Sequence, residues 1–379
     1  MRLRPLILLP LLLMLVPAAC KRSGNELKIG VSAPMTGDIS ALGQSTKNAI
    51  NLAQDEVNAA GGIKVGEATL KVRFIVEDDE NKPESTATVF QKLLNQDRVL
   101  AIIGSQSSKC SNAGAPIAEA AGIPQITPWS TNPNVTKGRK FVFRACFIDP
   151  FQGRVVAQFA TEKLKAKTAA VVYDVASDYN KGIAEVFKDE FTRMGGKIVG
   201  FETYNTKDTD FSAQLTKIKG SKPDVLFLPN YFNEVPLQIQ QARKLGLTAT
   251  ILGGDGWDNP ELVKLGGSVM NGTYFSNHYS PDQDSPQAKA FIAKYQARFG
   301  SLPDAAAALT WDSAQLLFKA IATAGKADPK AIRDALAATK GFQGVTGAIT
   351  YTGTGDPVKG AVVIKIENGK FVFDSAVNP

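Results

Sequence analysis

The sequence has few of the residues that most metal centres and hydrolytic sites require. Its 379 residues include one histidine and three cysteines. The single imidazole, His278, excludes a site with several histidine ligands, and a Ser-His-Asp triad would have to use that residue. The chain also lacks a CxxC pair, the GxSxG turn of hydrolases, the P-loop and the GxGxxG dinucleotide motif. We therefore expect no metal site, no cofactor and no enzymatic activity.

The charge is mild and has no concentrated block. Lysine and arginine total 43 against 36 aspartate and glutamate, a net charge of +7, and Arg2 and Arg4 lie within a segment that we expect to be removed. A nucleic-acid-binding surface normally needs clustered positive charge, so we expect no nucleic-acid partner. The length exceeds the roughly 250 to 300 residues at which a single core stops growing, which predicts two lobes.

The first twenty residues have the layout of an export signal. Residues 1–4 carry two arginines, residues 6–16 are almost wholly apolar, and Pro17, Ala18 and Ala19 precede Cys20. The apolar run is shorter than the roughly 20 residues that a membrane-spanning helix needs, which disfavours a permanent anchor. The protein should therefore leave the cytoplasm for the periplasm or the cell surface, with residues 1–19 as its signal peptide.

The cysteines raise two separate questions. The segment before Cys20 resembles a bacterial lipoprotein signal, in which the cysteine is acylated and becomes the first residue of the mature chain. Pro17 stands where that family normally has leucine, and cleavage after Ala18 is the alternative, but we favour lipidation, which would tether the protein to a membrane. Cys110 and Cys146 form either a disulfide in an oxidising compartment or two half-buried thiols.

The hydrophobic pattern alternates between strands and helices. Leu27, Ile29 and Val31 alternate as in a strand, and the apolar run over residues 99–103 is typical of a strand buried on both faces of a parallel sheet. The cycle restarts after residue 149, three helices are predicted over residues 286–340, and short strands follow. Two rounds of βα units predict an α/β protein with two doubly wound parallel-sheet lobes. Flexible Gly/Ser linkers are absent, which favours ordered hinge crossings.

Polar and aromatic residues follow the ends of the predicted buried strands, where doubly wound sheets bind ligands. These loops are residues 104–109, 127–133, 173–179, 230–232 and 253–257. Their hydroxyls, rings and one acid suit a small zwitterion, with donors for its carboxylate, Asp255 for its ammonium and aromatic walls for an apolar side chain. Considered singly, the serines are more often explained by helix capping, and each ring by core packing.

Five short blocks of sequence carry a family resemblance. In chain order they are Ile29-Gly30-Val31, Met35-Thr36-Gly37, Asn58-Ala59-Ala60-Gly61-Gly62-Ile63, Thr131-Asn132-Pro133 and Asp210-Phe211-Ser212. In this order they resemble the periplasmic leucine/isoleucine/valine-binding proteins, the receptors of branched-chain amino-acid ABC importers. The resemblance covers nearly all of the mature chain and implies the type I periplasmic binding fold.

The resemblance implies where the lobes meet. Three crossings between lobes are expected near residues 145–148, 277–280 and 345–349. Lobe 1 would then comprise residues 26–145 plus 280–346, and lobe 2 would comprise residues 146–279 plus 347–379.

The resemblance also implies the binding residues. The family's positions fall on Ser108 for the ligand carboxylate, Ser130 and Thr131 for the amino-acid backbone, Tyr179 and Tyr231 for aromatic contacts from the second lobe, and Asp255 for the α-ammonium. This sequence departs from the family in three places. Asp255 is one methylene shorter than the usual glutamate, Leu42 stands where an aromatic residue is often found, and Trp129 adds bulk beside the backbone loop.

The implied function is an extracytoplasmic solute-binding receptor. Its lobes would close over an amino acid, branched-chain or otherwise apolar, and present it to the membrane permease of an ABC importer. We expect a monomer that is attached to the membrane by lipid at Cys20. The alternatives are a ligand-sensing subunit for a kinase or chemoreceptor, and a receptor for amides, urea or aromatic acids. An exported enzyme is the least supported class, because no catalytic constellation is recognisable.

Overall fold

The computed structural model describes residues 26–283 and 285–379. The predicted signal peptide and the proposed lipidation site at Cys20 lie outside the described residues. The described chain forms two α/β lobes, each built on a mostly parallel sheet. This is the architecture that the alternating hydrophobic pattern predicts.

The first segment builds a six-stranded sheet with helices packed against it. Its elements are β1 (Glu26–Ala33), α1 (Ser40–Ala59), β2 (Ile63–Val65), β3 (Ala68–Asp78), α2 (Pro83–Lys92), β4 (Ala101–Ile103), α3 (Ser108–Ala121), β5 (Gln125–Thr127) and β6 (Val142–Arg144). Gly61 and Gly62, both at positive φ, follow the end of α1. The strand order is β2-β3-β1-β4-β5-β6, and β2 is antiparallel to β3 while the other pairs are parallel. The edge strand β2 was not predicted.

The second segment repeats the same alternation. Its elements are α4 (Asp149–Gln158), β7 (Thr168–Asp174), α5 (Asp178–Arg193), β8 (Lys197–Tyr204), α6 (Ser212–Ser221), β9 (Val225–Leu228), α7 (Val235–Lys244), β10 (Thr250–Gly253), α8 (Glu261–Gly266) and β11 (Tyr274–Asn277). All four residues of β9 are buried, as the continuous apolar run predicts. The strand ends of β7, β9 and β10 therefore project their following loops from one edge of the sheet.

The third segment returns to both lobes. Its elements are α9 (Pro286–Phe299), α10 (Ala305–Ala324), α11 (Pro329–Ala337), β12 (Phe342–Gly344), β13 (Gly347–Ile349), β14 (Ala361–Glu367) and β15 (Lys370–Val377). The three helices match the prediction, and α10 packs against α1 with its first four alanines fully buried. The antiparallel strands β14 and β15 complete the second sheet, whose order is β15-β14-β11-β10-β9-β7-β8. The chain thus crosses between lobes after β6, after β11 and after β13.

The two inner cysteines are free thiols. Cys110 and Cys146 are both buried and form no disulfide. Burial raises the pKa of each thiol to about 12. Both groups therefore stay protonated at neutral pH and act as small apolar core residues. The sequence left open a disulfide or two half-buried thiols. The structure has two thiols, and both are fully buried.

Arg144, the last residue of β6, ties the first crossing to the loop before β14. Its guanidinium is fully buried and donates from Nε to Asp356 Oδ1 at 2.7 Å. It also donates from Nη1 to the Ser130 carbonyl at 2.6 Å and from Nη2 to the Asn132 carbonyl at 3.0 Å. One side chain therefore fixes the loop after β5, on which two of the predicted site residues lie.

Replacing Arg144 with methionine should lower the free energy of unfolding by about 3–5 kcal/mol, because it leaves buried acceptors and a carboxylate without their donor. Urea denaturation measures this loss. Arg193→Met is the control, since the Arg193 guanidinium pairs with Glu190 at the surface, where ion pairs contribute about 0–1 kcal/mol. Equal losses in the two variants would contradict the structural role of Arg144.

Candidate functional site

Loops from the two sheets meet in the cleft between the lobes. From the first lobe come Ser108, which opens α3 directly after β4, and the loop that follows β5. From the second lobe come Tyr179 in the first turn of α5, Tyr231 after β9, and Asp255 in a short 3-10 turn after β10. Each of these positions follows the carboxyl end of a parallel strand, where the sequence analysis expected the site.

These loops line one small cavity between the lobes, whose free volume is about 10 Å³. Its lining consists of Gln106, Ser108 and Trp129 from the first lobe and Tyr179, Tyr231, Asp255 and Gly256 from the second. Four of the six predicted binding residues therefore share one cavity, and they come from both lobes. Its two tyrosine rings, with centroids 5.3 Å apart, form an aromatic wall.

The other two predicted residues lie behind this lining. Ser130 is fully buried. Its hydroxyl shares a hydrogen bond of 2.6 Å with the Ser111 hydroxyl and donates to the backbone carbonyl of Gln106 at 3.0 Å. The Thr131 hydroxyl is buried and has no hydrogen-bond partner among the described residues. Ser130 therefore fastens its loop to α3, whereas the Thr131 hydroxyl lies beside the Asp149 carboxyl.

The Asp255 carboxylate is held by donors from three different elements. Its Oδ1 accepts from Gln152 Nε2 of α4 at 2.7 Å and from the Tyr179 hydroxyl at 2.8 Å. Its Oδ2 lies 2.8 Å from His278 Nε2, in the crossing that follows β11. These contacts fix the orientation of the carboxylate in the cleft, because both oxygens have directional partners.

The local backbone permits this arrangement only where side chains are absent. A Cβ atom at Gly254 would lie 2.5 Å from the Tyr179 hydroxyl, and one at Gly256 would lie 3.2 Å from it. The Gly256 N–H donates to the same hydroxyl at 3.1 Å. Burial, with the nearby Asp255 charge, raises the pKa of Tyr179, so its hydroxyl keeps the proton that it donates.

His278 was not assigned to the candidate site from the sequence, because residues 277–280 were expected only to form a crossing between the lobes. The imidazole is buried and stacks on Phe147, with ring centroids 3.7 Å apart. Burial lowers the pKa of His278, so the neutral ring is favoured and Nε2 must carry the proton that faces Asp255. The only feature of the sequence that singled out His278 was that it is the sole histidine. Hydrophobic periodicity did not indicate its contact with Asp255.

Direct hydrogen bonds hold the two lobes together at the edge of the cleft. Asn112 Nδ2 of α3 donates to Asp178 Oδ2 at 2.7 Å, and Asn132 Nδ2 donates to the Asp178 carbonyl at 3.0 Å. The lobes are therefore closed on each other. Within residues 26–283 and 285–379, no group of three or more His, Cys, Asp or Glu side chains could hold a metal ion.

The comparisons with known proteins agree with this geometry. A family model described as periplasmic binding protein matches residues 26–370. The chain belongs to the periplasmic binding protein family. This family consists of solute-binding receptors that act outside the cytoplasm, and the match confirms the predicted family and fold class.

Individual relatives support the family assignment. A Leu/Ile/Val-binding protein of Rhizobium johnstonii is 34% identical over 351 residues, covering 92% of this chain and 93% of the relative. The leucine binding protein LivK from Thermotoga maritima is 39% identical with a TM-score of 0.88, covering 93% of this chain and 99% of that one. LivJ from Streptococcus pneumoniae, solved in complex with isoleucine, is 35% identical with a TM-score of 0.86. The match covers 93% of this chain and 100% of LivJ. Among the described residues, none of the helices is long and apolar enough to span a membrane.

This periplasmic binding protein also buries a second acid behind the cleft. Asp149 opens α4, and neither of its carboxylate oxygens accepts a hydrogen bond within the described chain. Burial raises the pKa of Asp149 to about 7, although the nearby Thr131 hydroxyl and the Arg144 guanidinium offset part of the rise. Asp149 therefore takes up a proton more readily in the folded protein than in the unfolded chain.

The raised pKa of Asp149 predicts a pH-dependent loss of stability. The folded state binds the extra proton between the ordinary value of 3.8 and about 7, so the contribution of Asp149 to stability falls as pH rises through this window and is constant above it. Asp149→Asn removes the titration. The change in unfolding free energy that this substitution causes, relative to the wild type, should be more stabilising at pH 8 than at pH 5 by on the order of 2 kcal/mol.

Urea denaturation at the two pH values tests this expectation. Asp224→Asn is the control, because backbone hydrogen bonds from Lys167 and Thr168 lower the pKa of Asp224 and place its titration below pH 5. The effect of that substitution should be the same at pH 5 and pH 8. An equally pH-independent effect of Asp149→Asn would show that Asp149 does not titrate in this range.

Proposed function

We propose that the protein is the extracytoplasmic solute-binding receptor of an ABC importer and binds an amino acid with a small branched side chain in the interlobe cleft. The observation that carries this proposal is the cavity shared by Ser108 and Asp255, which come from opposite lobes. Similar proteins that bind leucine, isoleucine or valine support the same class. We expect binding without turnover, by a monomer that delivers its ligand to a membrane permease.

The α-ammonium of the ligand would bind at Asp255. The carboxylate oxygens already accept from Gln152, Tyr179 and His278, and each carboxylate has about four lone-pair sites, so a further donor can be accepted. These donors hold the group in place before the ligand arrives. Such preorganisation reduces the ordering cost of binding.

The ligand carboxylate would bind at the start of α3. Ser108 is the first residue of this helix, which has 14 residues, so its hydroxyl lies beside unpaired backbone N–H groups and the positive end of the helix dipole. The unpaired Thr131 hydroxyl lies on the adjacent loop, while Ser130 would position that loop. Tyr179 and Tyr231 would cover the ligand from the second lobe.

The proposed ligand-binding groups are divided between the two lobes, so ligand binding would favour closure of the lobes. A ligand shifts the open and closed populations only by the difference in its affinity for them. Because the ammonium and carboxylate partners come from different lobes, both contacts are available only in the closed form. We propose lobe 1 as residues 26–145 plus 280–346 and lobe 2 as residues 146–279 plus 347–379, rotating about the three crossings.

Asp255→Asn should weaken the binding of leucine or isoleucine by about 2–5 kcal/mol, because the ammonium loses its charged partner in a buried site. This is roughly a thirtyfold to several-thousandfold increase in Kd, and isothermal titration calorimetry measures it. Asp258→Asn is the matched control: Asp258 is also a buried acid, with a pKa raised to about 7 by burial, but it does not line the cavity. Unchanged affinity in Asp255→Asn, or equal losses in both variants, would remove Asp255 from the site.

We also propose that the mature chain begins at Cys20 and is anchored by lipid there. The signal-like residues 1–19 support this proposal. Intact-mass spectrometry of the protein from a membrane fraction should give the mass of residues 20–379 plus the acyl groups. Cys20→Ala should release the protein from the membrane fraction. An unmodified Cys20 after cleavage at Ala18 would contradict lipidation.

A further inference from the structure

Two polar groups of the cavity lining are buried and unpaired. Gln106 is 1% exposed and Trp129 is 5% exposed. Neither Gln106 Oε1 nor Trp129 Nε1 has a hydrogen-bond partner within the described chain, and both residues line the cavity that also contains Ser108 and Asp255. Buried polar atoms are normally paired, so an unpaired acceptor and an unpaired donor on two residues that line the cavity are candidate partners for a ligand.

The orientation of the Gln106 amide follows from its neighbours. The Thr46 hydroxyl donates to the Leu42 carbonyl at 2.9 Å, so its oxygen is free to accept. Gln106 Nε2 lies 2.7 Å from this oxygen and is therefore the donor. The carbonyl Oε1 is left as the free end of the amide. The Trp129 indole can only donate, so these two lining residues carry an unpaired acceptor and an unpaired donor in addition to the groups assigned to the ligand backbone.

An apolar side chain would leave both of these groups unpaired. A methyl end group can neither donate to Gln106 Oε1 nor accept from Trp129 Nε1, so binding would bury two polar atoms without compensation. A hydroxyl or a carboxamide both donates and accepts. The rings of Tyr179 and Tyr231 limit the size of the side chain but not its polarity.

We propose that the preferred ligand has a side chain with the size and branching of valine or leucine but ends in a hydroxyl or a carboxamide, as in threonine and asparagine. The inference rests on the proposed function, because it takes the amino-acid backbone to be held by Ser108 and Asp255. Gln106 and Trp129 are then the residues that determine specificity. They discriminate between side chains of nearly equal shape by hydrogen bonding.

Two near-isosteric ligand pairs test the proposal on the wild-type protein. Threonine is compared with valine, and asparagine with leucine, by calorimetry after denaturation and refolding have removed any bound ligand. At least one polar ligand should bind about tenfold or more tightly than its apolar partner. A preference for threonine over valine would identify a hydroxyl end group, and a preference for asparagine over leucine would identify a carboxamide. If valine and leucine bind more tightly than both polar partners, the inference is overturned and the proposed function stands. Binding of none of the four overturns both.

Gln106→Leu tests the residue itself. The substitution removes the acceptor at similar volume and should shift the polar-to-apolar affinity ratio by about tenfold toward the apolar ligand. Gln125→Leu is the matched control: Gln125 is also a buried glutamine of the first lobe with an unpaired Oε1, but it does not line the cavity, so its ratio should stay unchanged. Trp129→Phe, which removes the indole donor together with part of the ring, provides a second variant with the same expected direction. An unshifted ratio in the folded variants would overturn the assignment.

Discussion

The buried carboxylate of Asp255 is the constraint on which the two-lobed site depends. A carboxylate taken out of water needs donors on both oxygens, and here they come from helices α4 and α5 and from the crossing after β11. These donors, Gln152, Tyr179 and His278, belong to separate elements. The position of the Asp255 carboxylate therefore depends on how those elements pack together. A ligand ammonium bound as proposed would therefore meet a carboxylate whose orientation is fixed before binding.

The crossings that carry this geometry are held by buried polar contacts. Lys359 Nζ donates to the Ala145 carbonyl at 2.9 Å and to the Thr346 hydroxyl, and burial lowers the pKa of Lys359 to about 8. Asp312 of α10 accepts from the Val345 and Thr346 backbone N–H groups at 2.7 and 2.9 Å. These bonds connect the first and third crossings to a long helix.

The sequence predicted what depends on local pattern and missed what depends on long-range pairing. The apolar run over residues 99–103 identified β4 because burial on both faces leaves a continuous apolar stretch. Ser108 and Asp255 were predicted because they follow strand ends and match family positions, and the structure brings them to one cavity. His278 and Gln106 were not, since their roles come from partners distant in sequence, Asp255 and Thr46. Hydrophobic periodicity records burial, but it contains no information on which distant residue completes a polar contact.

The site separates recognition of the amino-acid backbone from recognition of the side chain. The backbone groups would bind at a helix start in one lobe and at a carboxylate in the other, so their geometry is linked to the fold and to closure. Gln106 and Trp129 line the same cavity but belong to the first lobe alone, so changing them alters the polarity of the pocket without moving Asp255 or the crossings. A family can therefore keep one closing mechanism while its ligands change. On this proposal, family membership accounts for the closing mechanism, and the unpaired atoms of the lining residues would determine which side chain is preferred.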